Sequence, residues 1–213
     1  MKNQTPIQGV YLVAGLRFHP DISPFLTAIE ASFIGGVRLF QLRIKDELPD
    51  DEHLHLAKRV RKLTTQYGVT FIINDRPDIA KLCDADGLHL GPGDLLVDDA
   101  RKIVGDMIIG KSSHNYTEAL ESIQEDINYL SVGPIYETDC KKTPDALVGI
   151  DLLEKIISKT QIPIVAIGGI TLNNLHEVKK SGVGCFGLIR GIMNTSDIRL
   201  SAVEMINTFQ KID

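Results

Sequence analysis

Short apolar runs alternate with longer segments of helical period along the whole chain, eight of each, and this alternation constrains the fold more than any other feature. The apolar runs lie at 10–14, 37–42, 70–73, 87–89, 107–109, 129–132, 164–167 and 185–189. The helical segments lie near 22–34, 51–67, 76–83, 96–104, 116–126, 150–160, 172–181 and 197–211. Most of the runs are dense in Val, Ile and Leu with little polar alternation, the pattern of parallel strands buried on both faces. Asp51 and Thr171 are expected helix N-caps, and Gly68 and Gly182 stand where helices should stop. Strict alternation without a break in composition predicts one closed (β/α)8 barrel of the TIM type over residues 1–213, in preference to an open doubly wound sheet. No linker, low-complexity stretch or fixed-period repeat divides the chain.

Charge and composition narrow the ligands. With 23 basic and 28 acidic residues the net charge is −5, so no global basic field exists to hold nucleic acid. Any anion must be gripped by local groups. The first eight residues are polar, and the apolar run at 10–14 is too short for a signal-peptide core. No stretch approaches the ~20 apolar residues that cross a bilayer. Cys83, Cys140 and Cys185 are widely spaced and form no CxxC pair, which argues against a disulfide framework or a structural zinc site. A cytoplasmic location and small-molecule partners are expected, with neither nucleic acid nor membrane as ligand; homo-oligomerisation stays open.

The polar exceptions fall in a pattern. Gln41, Arg43 and Lys45, then Asn74 and Asp75, His89 to Asp94, Ser112 to His114, residues 133–142, and Gly168 with Gly169 all follow predicted strands at their C-terminal ends. In a barrel those ends converge on one mouth, where such folds bind ligands. Gln41, Arg43 and Lys45 stand at spacing two, so strand geometry puts amide, guanidinium and ammonium on one face. Fork and point charge together suit a diphosphate. Asp75 and Asp94, on neighbouring strand ends, form a pair of the kind Mg²⁺ takes beside phosphate oxygens and water. Taken singly, each is also placed to cap the helix that follows.

Ser112 lacks a GxSxG setting and reads as a hydroxyl donor to phosphate rather than a nucleophile. His114 suits acid–base work or a bystander's role, whereas His89, inside an apolar run, reads as a packed or hydrogen-bonded core residue. The polar segment 133–143 after the sixth strand has the length of a lid and offers Thr138, Cys140, Lys141 and Lys142. Gly168-Gly169 permits close backbone approach to a phosphate, and Gly187 and Arg190 follow on the last strand, where barrel phosphate sites commonly lie.

In order along the chain, QLRIKD (41–46), INDRPDIA (73–80), DGLHLGPGD (86–94), GKSSH (110–114), VGPIYETDCKK (132–142) and AIGGIT (166–171) resemble the thiamine-phosphate synthase/TenI family over nearly the whole barrel. The resemblance implies Mg²⁺-dependent joining of a pyrimidine diphosphate to a thiazole phosphate, with release of pyrophosphate through a dissociative pyrimidine-methyl cation. It assigns Gln41, Arg43, Lys45 and Asn74 to the diphosphate, Asp75 and Asp94 to Mg²⁺, Ser112 and Lys141 to completing the diphosphate site, and Thr138 and Gly169 to the thiazole phosphate. Three segments depart from the family pattern. The lid reads Thr138-Asp139-Cys140-Lys141 where T-x-T-K is usual, placing a thiol at Cys140. The last strand reads Ile189-Arg190-Gly191-Ile192 in place of V-S-A-I, and Pro92-Gly93 replace the middle of HLGQED while leaving Asp94. The lid also resembles the TenI-type thiazole tautomerases, in which a histidine matching His114 moves a proton. The metal aspartates and the QLR-x-K strand end favour the synthase over that tautomerase, and a regulator that binds thiazole phosphate without chemistry is the third reading.

Overall fold

The computed structural model describes residues 7–45, 48–138 and 146–212. The chain runs β1 (Gly9–Ala14), α1 (Ile22–Ile34), β2 (Leu39–Leu42), α2 (Asp50–Tyr67), β3 (Thr70–Asn74), α3 (Pro77–Leu82), β4 (Gly87–Leu90) and α4 (Val97–Val104). It continues through β5 (Ile108–Ser113), α5 (Tyr116–Ser122), β6 (Tyr129–Val132), α6 (Gly149–Ile157), β7 (Ile164–Ile167), α7 (Leu175–Lys180), β8 (Cys185–Leu188), α8 (Arg190–Met193) and α9 (Ile198–Lys211). All eight strands are parallel, neighbours in sequence are neighbours in space, and β8 pairs with β1 through Gly9↔Cys185 to Leu12↔Leu188. The predicted (β/α)8 barrel is therefore closed.

Alternation along each strand builds two separate cores, because successive side chains point to opposite faces. Outward residues such as Leu12, Phe40, Phe71, Leu88, Leu130 and Phe186 pack under the helices. Inward residues Tyr11, Val13, Leu39, Ile72, Ile108, Tyr129, Val165 and Cys185 fill the lumen as a distinct apolar cluster. Burial on both sides explains why the strands read as apolar runs. The few buried polar strand residues, among them Gln41, Asn74, His89 and Ser131, are the exceptions.

Element ends differ from the sequence reading where local chemistry intervenes. Helix α2 starts one residue earlier than expected, with Pro49 in the cap position and Asp51 inside the first turn, where its charge still favours the helix N-terminus. Thr171 is not a cap: α7 begins only at Leu175, and the Asn174 side-chain carbonyl accepts the Thr171 N–H at 2.8 Å in the turn before it. Gly68 does stop α2, in the left-handed conformation at φ 63°. Strand β2 begins at Leu39, whereas β5 runs on to Ser113 and carries Ser112 within the sheet. The short helix α8 follows β8 directly and was not separable from the last strand end by periodicity. Among the described residues no helix is long and apolar enough to cross a membrane.

One glycine decides how the lumen fills. Gly110 lies opposite Tyr129 in the β5–β6 register, and a Cβ built on it would sit 1.9 Å from the Tyr129 ring. The ring occupies the space that any side chain at 110 would need. Gly110→Ala is expected to displace the tyrosine and destabilise the barrel by about 1–3 kcal/mol or more, the usual cost of overpacking, read as a lower urea midpoint at unchanged slope.

Candidate functional site

The C-terminal ends of β2, β3, β4 and β5 bring most of the expected polar residues together. Gln41 faces the lumen at 3% exposure, and its Nε2 donates to the Tyr11 hydroxyl at 2.8 Å. Arg43 lies one residue past β2, where its backbone N–H donates to the Ala14 carbonyl at 2.8 Å and so extends the ladder to β1. Lys45 stands farther out at the rim, and its ammonium is paired with the Asp75 carboxylate. The charges of Arg43, Lys45 and Asp75 all bear on the His89 ring. The three residues of the QLR-x-K segment therefore occupy three depths: Gln41 in the lumen, Arg43 at its lip and Lys45 on the rim.

Asp75 and Asp94 come together as a pair. The Asp75 N–H donates to the His89 carbonyl at 2.8 Å, and Asp75 adopts a left-handed φ of 63°. A non-glycine residue in that region is uncommon, and such strain concentrates at functional sites. Asp94 is folded back on its own loop, its Oδ2 accepting the Gly91 N–H at 2.7 Å. Neither carboxylate caps a helix: Arg76 precedes α3 and Leu96 precedes α4, each without a side-chain cap. Burial first, and then the hydrogen bond and negative charge of Asp75, push the Asp94 carboxyl up to about 6, against the opposing pull of Lys45. Among the described residues no cluster of three or more His, Cys, Asp or Glu is arranged to hold a metal, so this donor set consists of two carboxylates.

Asn74, beside Asp75, is 6% exposed, and its side-chain amide nitrogen has no hydrogen-bond partner among the described residues. Buried donors are nearly always satisfied, which makes an exception at a barrel mouth informative. His89 is the hydrogen-bonded core residue expected from its apolar surroundings: Nδ1 lies 2.9 Å from the Tyr129 hydroxyl and Nε2 lies 2.8 Å from Ser112 Oγ. Its burial, the largest influence, lowers its pKa to about 4. Tyr11 and Tyr129, their hydroxyls 2.8 Å apart, join Gln41 to His89. Both escaped the sequence reading because tyrosine in a strand is ordinary. The signal lay in parity, since Tyr11 and Gln41 point inward by the same alternation that makes their neighbours core.

His114 follows β5 and lies two residues before α5. Its N–H donates to Glu118 Oε2 at 2.8 Å, and its Nδ1 lies 3.5 Å from the same oxygen. On the far side of the mouth, residues 134–137 pack directly over the paired glycines, with Ile135 N–H on the Ile167 carbonyl and Tyr136 N–H on the Gly168 carbonyl. A Cβ on Gly169 would lie 2.6 Å from the Glu137 carbonyl oxygen, and φ there is 66°. The glycine is thus required by the segment that crosses it, and Tyr136 secures that segment through its hydroxyl to Glu177 at 2.8 Å. Ile189 packs on the lumen cluster, and Arg190 opens α8. Thr138 ends the described part of this segment; Cys140 and Lys141 lie outside the described residues.

The carboxylate pair makes a measurable claim. Asp75→Asn removes the negative charge that raises Asp94, so the Asp94 carboxyl should titrate closer to the ordinary carboxylate range. Carbon-13 NMR titration of the metal-free protein reads this; an unmoved Asp94 would show that burial alone raises it.

Against known proteins, residues 10–192 match the family model described as thiamine monophosphate synthase. The chain is 41% identical over 199 residues to the thiamine-phosphate synthase of Clostridium botulinum strain Loch Maree, covering 93% of this chain and 96% of that protein. It is 38% identical over 190 residues to the thiamine-phosphate synthase of Pyrococcus horikoshii, covering 89% of each. The solved structure of thiamine phosphate pyrophosphorylase from Pyrococcus furiosus superposes with a TM-score of 0.88 at 33% identity, covering 96% of both chains. The barrel, its strand-end polar residues and these similarities over nearly the full length lead to one conclusion: the chain belongs to the thiamine monophosphate synthase family.

Proposed function

We propose that the chain is a thiamine-phosphate synthase, joining 4-amino-2-methyl-5-pyrimidinylmethyl diphosphate to thiazole phosphate and releasing pyrophosphate. The observation that carries this reading is the Asp75–Asp94 pair, with Asp94 raised to about 6 beside the cations Arg43 and Lys45. Two adjoining carboxylates that repel each other at neutral pH suit a divalent cation, and a two-carboxylate set leaves room for phosphate oxygens and water, as Mg²⁺ prefers. Asp75 and Asp94 would hold it, and when bound it supplies charge neutralisation for a diphosphate.

The remaining residues divide by the anion they serve. Arg43, Lys45, Ser112 and Lys141 grip the diphosphate and stabilise the charge that grows on it as the C–O bond breaks. Gln41 and the buried amide of Asn74 line the same end. Thr138, Gly169, Ile189 and Arg190, on the far side of the mouth, take the thiazole phosphate, and Cys140 and His114 are assigned to substrate binding with them. In a dissociative displacement the thiazole nitrogen captures the pyrimidine-methyl cation, so the protein's contribution is positioning and electrostatics rather than a nucleophile or base. A thiazole tautomerase would have no use for a diphosphate grip, which is why the carboxylate pair favours the synthase. On this reading the partners are two small molecules and the setting is the cytoplasm.

Purified protein incubated with both substrates should yield thiamine phosphate by mass spectrometry with Mg²⁺ and none with EDTA. Arg43→Ala and Asp75→Ala should each lower kcat/KM by roughly 10²–10³, the scale of losing one preorganised electrostatic contact. Absence of product from folded protein that binds thiazole phosphate would sink the synthase. Thiazole tautomerisation abolished by His114→Ala and untouched by Asp75→Ala would put the tautomerase in its place.

A further inference from the structure

A continuous hydrogen-bonded chain crosses the lumen beneath the mouth. Gln41 Nε2 donates to Tyr11 at 2.8 Å; the Tyr11 and Tyr129 hydroxyls lie 2.8 Å apart; Tyr129 lies 2.9 Å from His89 Nδ1; and His89 Nε2 lies 2.8 Å from Ser112 Oγ. Its inner members are shut off from solvent, with Tyr11 at 1% exposure, Tyr129 at 0% and His89 at 6%. Each phenol has a single proton, and a neutral imidazole has one donor and one acceptor nitrogen. Those counts fix a direction. An amide N–H has no acceptor capacity, so Tyr11 accepts from Gln41 and must spend its own proton on Tyr129. Tyr129 must then donate to His89 Nδ1. An Nδ1 that accepts belongs to the neutral tautomer protonated on Nε2, and that proton goes to Ser112. Ser112 accepts it and keeps its own proton for an acceptor other than His89.

We infer that Tyr11, Tyr129 and His89 are positioning residues that hold the Ser112 hydroxyl as a hydrogen-bond donor toward a phosphate oxygen at the mouth. This rests on reading the mouth as a diphosphate site. Reversal of the chain would have the opposite chemical consequence: Ser112 would donate to Nε2 and present only lone pairs to an anion, a repulsive contact. The geometry of the sheet accommodates the chain. Gly110 has no side chain where Tyr129 needs space, so the phenol lies across the lumen within reach of both Tyr11 and His89. A chain with fixed polarity leaves little reorganisation when the anion arrives, and preorganised donors of this kind are where electrostatic catalysis gains most.

Long-range proton–nitrogen NMR of the uniformly ¹⁵N-labelled wild-type protein at neutral pH tests the direction without any substitution. The His89 signals are assigned by their loss in His89→Asn. Nε2 protonated and Nδ1 bare is the expected result; a proton on Nδ1 overturns the inference. Gln41→Glu presents an acceptor to Tyr11 in place of a donor and should move the His89 proton to Nδ1. The purpose of the chain is read from Mg²⁺-pyrophosphate binding by calorimetry in Tyr129→Phe, Ser112→Ala and the double variant. Each single change should weaken binding by about tenfold, the scale of one hydrogen bond to a charged group. The double variant should bind no worse than Ser112→Ala, because Tyr129 acts through Ser112. Losses that simply add would assign Tyr129 an ordinary structural role and overturn the inference. Nδ1 protonation with intact pyrophosphate binding removes the positioning chain alone. Nε2 protonation in a wild-type protein that binds no pyrophosphate removes the diphosphate reading, and the donor's target with it.

Discussion

Closure of the sheet by the β1–β8 pairing is the constraint on which everything else depends. A closed parallel barrel has no free edge, but it encloses a lumen that side chains must fill, and each inward residue is fixed in height by its strand's register. Apolar residues satisfy that demand low in the barrel, where Leu39, Ile108, Val165 and Cys185 meet. Nearer the mouth the lumen holds Gln41, His89 and the tyrosine hydroxyls, and burying such polar groups is costly unless their hydrogen bonds are made. The polar chain from Gln41 to Ser112 is how this barrel meets that requirement. It is at once core packing and the floor of the site.

The same strand ends solve an electrostatic problem. The chain is net negative, so a doubly anionic ligand gains nothing from bulk charge. Arg43 and Lys45 supply local positive charge, while Asp75 and Asp94 place two negative charges nearby. On the proposed function, a cation held by the carboxylate pair completes the set beside the diphosphate. Lys45 offsets part of that negative charge through its pairing with Asp75.

Periodicity carried the architecture in this sequence because parallel strands buried on both faces leave a strong signal, and the helices between them keep their amphipathic spacing. The convergence of Gln41, Arg43, Asn74, Asp75, Asp94 and Ser112 followed from the topology alone, since strand ends in a closed barrel can only meet at one mouth. Terminal details were less legible. Asp51 and Thr171 have the chemistry of caps, yet Pro49 and Asn174 hold those places, because capping depends on where the loop delivers the backbone rather than on residue type. Gly169 has the composition of a phosphate-binding turn, yet its missing side chain is first explained by the segment lying over it. Tyr11 and Tyr129 were invisible as site residues because their role exists only across strands that are 118 positions apart in sequence.

The raised Asp94 carboxyl links these features into one energetic statement. On the proposed function its proton and a cation would compete for the same oxygens, and each would relieve the same repulsion with Asp75. As an isolated group, a carboxyl that binds its proton more tightly in the folded chain than in the unfolded one favours folding at low pH. That contribution is lost as pH rises through about 6. A cation bound by the pair acts in the other direction, restoring stability at the pH where the carboxylates are fully charged. On the proposed function, the state with cation and diphosphate in place is the one in which the repulsion between Asp75 and Asp94 is removed. Asp75 keeps its place in the pair with a left-handed φ of 63°, a backbone strain of the kind that concentrates at functional sites.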